Sequence, residues 1–139
     1  MATYRYTSND ISYNQVSQES HSANKGLAAG DAGVDQNLAS GSHQLTLPEL
    51  NANIVGLTFR CRNIGTAGTD ALTVKPHANN YILGGFTLAS SVVSSAGTIA
   101  KYVRNTGATS KKGDWVEVTA VSSTEWYICG SQGIWAFES

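Results

Sequence analysis

Few side chains in this sequence stand at the spacings that chemistry requires. Gly107-Ala108-Thr109-Ser110-Lys111-Lys112-Gly113 has the composition of a phosphate loop. It lacks the required order, Gly-x4-Gly-Lys-Ser/Thr opening a helix, and a strand pattern follows it. The expectation is a surface turn with solvated lysines. Asp31 and Asp35 hint at a calcium loop, but the alternating oxygen ligands and the closing bidentate acid are missing. His21, His43 and His77 have no metal-ligand spacing. Asp114, Glu117 and Glu125 could be imagined as a glycosidase carboxylate pair, although outward-facing charge beside Val116 and Val118 accounts for Glu117 without further assumption. No Gly-x-Ser-x-Gly, His-Glu-x-x-His or Cys/His signature is present. The residues therefore point away from an enzyme and call for no cofactor or metal.

The aromatic side chains are a better place to look for function. Trp115, Trp126, Tyr127, Trp135 and Phe137 could form a sugar-binding platform, since flat rings stack on pyranose faces. They could equally pack a core or a subunit interface, where aromatic area concentrates. Alternation puts Trp115 on a face with Glu117 and Thr119, opposite Val116, Val118 and Ala120. It puts Trp126 with Ile128, opposite Tyr127 and Cys129. Arg60 and Arg62, on the polar face of the clearest strand, are candidates to pair with an acidic partner surface and set registry. The expected subunit or partner interface comprises Arg60, Arg62, Trp115, Trp135 and Phe137.

These residues need elements to position them. From His43 onward the hydrophobic period is two. Leu45 and Leu47 alternate with Gln44 and Thr46 until Pro48, and Thr46-Leu47-Pro48-Glu49 has capping-box spacing that predicts one helical turn. Ile54 to Arg62 is the clearest strand, with Val55, Leu57, Phe59 and Cys61 on one face. Ile64 to Asp70 is expected to turn, and Leu72 to Lys75 to run as a strand. Tyr81-Ile82-Leu83 is a strand or a buried bend, Phe86 to Ser95 settles neither period, and Thr98 to Arg104 is β-branched and aromatic. Trp115 to Val121, Glu125 to Gly130 and Ile134 to Phe137 close the series. Such spacing, with no convincing long helix, predicts an all-β fold: a compact antiparallel sandwich or barrel of about seven or eight short strands over residues 44–139.

Residues 1–43 differ. They are rich in Ser, Asn, Gln, Gly and Ala, carry thinly spread apolar residues and show no helical stripe. Alone such a segment buries too little to order itself. It is expected to be an extended N-terminal arm, held by its own domain, by another copy or by a host surface.

Composition sets limits on partners. The 139 residues are enough for one domain with a real core. A charged fraction of 14% and a net charge of −1 argue against charge-driven disorder and a general affinity for nucleic acid. No apolar run approaches a membrane span and the first residues lack a signal-peptide core, so folding in a cytosol is expected. In that reducing compartment Cys61 and Cys129 are expected as buried free thiols.

The stretch from residue 54 to the C-terminus resembles small virion structural proteins of tailed bacteriophages. The matching residues are Leu57-Thr58-Phe59-Arg60-Cys61-Arg62-Asn63-Ile64-Gly65, Leu72-Thr73-Val74-Lys75-Pro76 and the run from Asn79 to Gly85. They continue through Lys111-Lys112-Gly113-Asp114-Trp115-Val116-Glu117-Val118, Glu125-Trp126-Tyr127-Ile128-Cys129-Gly130 and Gly133-Ile134-Trp135-Ala136. Within that group the chain looks most like a capsid decoration (cement) protein, a small β body preceded by a polar arm. The resemblance implies a homotrimer on the virion surface that binds the major capsid protein and stabilises its shell. Tyr4, Tyr6 and Tyr13 are then the residues expected to anchor the arm. The alternative is a receptor- or glycan-binding tip of a tail or head fibre, with a host glycan as partner.

Overall fold

Period-two alternation does make strands here, and so does much of the polar stretch that lacks it. A computed structural model of the chain describes residues 3–8, 11–87, 92–94 and 102–138, with side chains described for 16–86 and 102–138. In chain order the strands are β1 (Thr3–Ser8), β2 (Ile11–Val16), β3 (Gln18–His21), β4 (Lys25–Gly26), β5 (Asp35–Leu38), β6 (His43–Thr46), β7 (Thr58–Asn63) and β8 (Leu72–Lys75). They continue as β9 (Tyr81–Leu83), β10 (Gly85–Thr87), β11 (Val92–Ser94), β12 (Tyr102–Asn105), β13 (Trp115–Ala120), β14 (Glu125–Gln132) and β15 (Trp135–Glu138). No helix among the described residues is long and apolar enough to cross a membrane.

The fold is all-β and sandwich-like. One sheet runs β3-β5-β7-β13-β14-β9 and the other β15-β12-β8-β6-β4, while β1 with β2 and β10 with β11 form separate ribbons. The strands outnumber the seven or eight expected because several are only two to four residues long.

The expected antiparallel pairing is found in part of the sandwich only. From β3 to β9 each successive strand of the sandwich changes sheets. As a result β3 pairs in parallel with β5, β5 with β7, β4 with β6, and β6 with β8. Residues 18–75 thus wind three turns of a flattened coil. Parallel neighbours need a long return connection, and here a strand of the opposite sheet supplies it. After residue 102 most pairing is antiparallel, β12 with β8 and β15, and β13 with β7 and β14, while β14 pairs in parallel with β9. The two sheets are therefore mixed.

The stretch expected as an arm accordingly belongs to the body from Gln18 onward. β5 is buried along its whole length although three of its four residues are polar. Hydrogen bonds compensate that burial. Gln36 donates from Nε2 to the carbonyls of Asp31 (3.4 Å) and Val34 (3.3 Å), and its Oε1 lies 2.7 Å from His21 Nε2. Asn37 Nδ2 donates to Gln18 Oε1 at 2.9 Å, and Gln18 Nε2 donates to Asp35 at 3.2 Å. What stands apart from both sheets is the β1–β2 ribbon, joined to β3 through Ser17.

Between the sheets lies one core. Phe59, Cys61, Val116, Val118 and Trp126 come from the six-stranded sheet, and Leu45, Leu72, Val74, Val103 and Trp135 from the five-stranded one. Phe59 meets Trp126 edge-on with ring centroids 5.6 Å apart. Phe86, on β10, packs on Trp135 at 6.2 Å and on Phe137 at 5.1 Å, which ties the second ribbon to the core. Burying side chains of this size contributes about 1.5–3 kcal/mol each.

At one end of the sandwich buried polar groups hold the loops together. Asn63 Nδ2 donates to Asn105 Oδ1 and to the Asp70 carbonyl, both at 2.8 Å. Asn105 Nδ2 donates to Asp114 Oδ2 at 2.9 Å and to the Ile134 carbonyl at 3.1 Å. Gly133 sits at φ 102° against this cluster, and a Cβ there would lie 2.3 Å from the Asp114 carboxyl carbon. Only glycine satisfies both constraints.

Two local expectations give way to turn chemistry. The strand expected from Ile54 begins at Thr58, because residues 52–56 turn and Gly56 takes φ 95°; Val55 is therefore exposed instead of joining the core face. No helical turn follows Thr46, since the chain through Pro48 is irregular while Leu47 and Leu50 insert into the core.

Candidate functional site

The outer face of the six-stranded sheet gathers most of the residues singled out above. Along β7 and β13 burial alternates strictly, so Phe59, Cys61, Val116, Val118 and Ala120 face inward. Thr58, Arg60 and Arg62 with Trp115, Glu117 and Thr119 face outward, as the alternation predicts. Antiparallel register then sets Arg60 opposite Glu117, and Thr58 opposite Thr119.

Arg60 is engaged on two sides. Its Nε donates to Glu117 Oε2 at 3.1 Å and its Nη2 lies 3.0 Å from the same oxygen. Its guanidinium carbon stands 4.7 Å from the Trp115 ring centroid, within cation–π range. On its β14 side the indole lies close over Gly130, where a Cβ would come within 3.1 Å of Cη2, and Nε1 donates to Gln132 Oε1 at 3.3 Å. Arg62 pairs with Asp35 at 3.3 Å. Both guanidiniums expected to reach for an acidic partner are thus neutralised within the chain. The pairs are half-exposed, and such pairs contribute about 0–1 kcal/mol.

Next to this row, Thr58 and Thr119 share a 3.0 Å hydrogen bond, and Thr119 Oγ1 lies 3.3 Å from Cys129 Sγ. Glu117 pairs with Gly130 and Val118 with Ile128, so Cys129 is the extra residue of a β-bulge. Both cysteines are free, but only Cys61 is buried; Cys129 is exposed, contrary to expectation, because it lies on the outward face with Tyr127, opposite the core residue Trp126. Burial, with a smaller contribution from the Asp35 charge, pushes the Cys61 thiol up to about 12. Partial burial also raises the Cys129 thiol, against the opposing hydrogen bond from Thr119. Neither environment favours a thiolate at neutral pH. On the other sheet the Tyr102 hydroxyl is raised by its hydrogen bond to Glu138 and by that carboxylate's charge.

The remaining interface candidates separate. Trp126 is core, and so is Trp135, at 1% exposure; its Nε1 donates to the Gln132 carbonyl at 2.9 Å, and no partner could reach the ring without opening the sandwich. Phe137 is half-buried against Phe86. The side chains of Tyr4, Tyr6 and Tyr13 lie outside the described set. Backbone register nevertheless pairs Tyr6 with Tyr13 and Tyr4 with Gln15. Residues directly opposite one another share a face, as do residues two apart on a strand. All three tyrosines therefore belong to one face of the ribbon.

The motifs that resembled ligand loops resolve into structure. Asp31 accepts the Ala28 N–H at 2.8 Å in a 3-10 turn, whereas Asp35 faces Arg62 from a strand. Lys111 N donates to Asp114 Oδ2 at 2.8 Å, closing the turn before β13. Among the described residues no three His, Cys, Asp or Glu side chains are grouped to hold a metal ion. Spacing alone did not reveal Asp35 and Gln18 as partners of this face, since both come from the coil's short polar strands. Gly130 had a signal: a glycine inside a strand pattern marks close approach of a neighbour.

The arrangement offers hydrogen bonds, one outward indole and compensated charges on one face of a sheet. No protein-family model matches the chain, and no curated protein matches it.

Proposed function

We propose that the protein is a tailed-phage virion structural protein of the capsid decoration class, which binds and stabilises the major capsid protein shell as a homotrimer. The observation that carries this reading is the β1–β2 ribbon, a sheet of its own joined to the sandwich through Ser17, with Tyr4, Tyr6 and Tyr13 on one face. A two-stranded ribbon is marginal by itself in water. It gains most by laying its aromatic face on a larger surface, and a capsid subunit is such a surface. Three ribbons on one trimer would make each weak contact effectively intramolecular once the first has formed.

The test is a truncation lacking residues 1–16, which removes the ribbon and leaves every strand of the sandwich. The truncated protein is expected to unfold cooperatively like the full chain and to lose binding to expanded shells of its capsid protein. Wild-type occupancy by the truncated protein would overturn the proposal.

A receptor- or glycan-binding tip is the second reading, and outward-facing Trp115 is the observation that favours it. Arg60 already lies over this indole, so a stacked sugar would have to displace the guanidinium or share the ring with it. A saturable change in tryptophan fluorescence on titration with host surface polysaccharide, lost in Trp115→Ala, would support the tip; a flat titration supports decoration.

A further inference from the structure

We draw no further inference here: the strongest candidate, the outward surface patch of Tyr81, Leu83 and Tyr127 along the β9–β14 edge of the six-stranded sheet, carries nothing because nothing in the structure shows what covers it.

Discussion

The coil of residues 18–75 and the mainly antiparallel strands of residues 102–138 share one core but are stabilised differently. Of the later strands β12 and β13 alternate cleanly in burial, and the inner faces of the group include Val103, Val116, Val118, Ala120, Trp126 and Trp135. The first turns of the coil bury Leu27, Leu38 and Leu45 but fill much of their remaining interior with polar side chains. β5 contributes Asp35, Gln36, Asn37 and Leu38, and three of those four are held by side-chain hydrogen bonds and an ion pair. A buried polar group contributes little net stability when paired and costs much when its partner is lost. Geometry should therefore matter more in the coil, and volume more in the antiparallel strands.

Substitutions can sharpen or break that contrast. Phe59→Ala, which removes the ring packed on Trp126, is expected to cost about 3–5 kcal/mol in chemical denaturation. A loss below about 1 kcal/mol would mean the aromatic core is not what joins the two regions. Cys61, at the seam, predicts the next effect. Its thiol is neutral when folded up to about 12, against an ordinary value of 9.0. Above pH 9.0 the unfolded chain loses this proton and the folded chain keeps it, so the unfolded state is favoured. Stability should be unaffected by this group below pH 9.0 and should fall as pH rises from there towards 12. Cys61→Ala should flatten that part of the profile.

In the coil, Gln36→Ala should cost about 1–3 kcal/mol, because it removes the side-chain donor to the Val34 carbonyl and the partner of the His21 ring nitrogen, although the Asp31 carbonyl keeps the Val34 N–H. A neutral result would show that polar bonding does not hold β5. Arg60→Ala is the smallest change, about 0–1 kcal/mol by the same denaturation, accompanied by a shift in Trp115 emission. A larger loss would show that the outer face contributes to stability as the core does.

The same contrast explains what could be read in the sequence. Strands 115–120, 125–132 and 135–138 were legible because one face of each is apolar and the other is not. β3 and β5 were not legible, since Gln18-Glu19-Ser20-His21 and Asp35-Gln36-Asn37 carry no hydrophobic period. Their strand character comes from parallel neighbours in distant parts of the chain, which local pattern does not encode. The outward position of Trp115 followed from alternation alone. The partners of Arg60 and Arg62 did not, because Glu117 and Asp35 meet them only through strand register. Trp135 and Cys129 show the converse limit: a terminal aromatic proved internal, and a thiol in an apolar run lies on the outward face beside Tyr127.

Because the polypeptide passes from one layer to the other at every strand between β3 and β9, neither layer can peel away while its counterpart persists. Loosening any single stitch slackens both sides together. The body should therefore melt as one unit, abruptly instead of by gradual fraying.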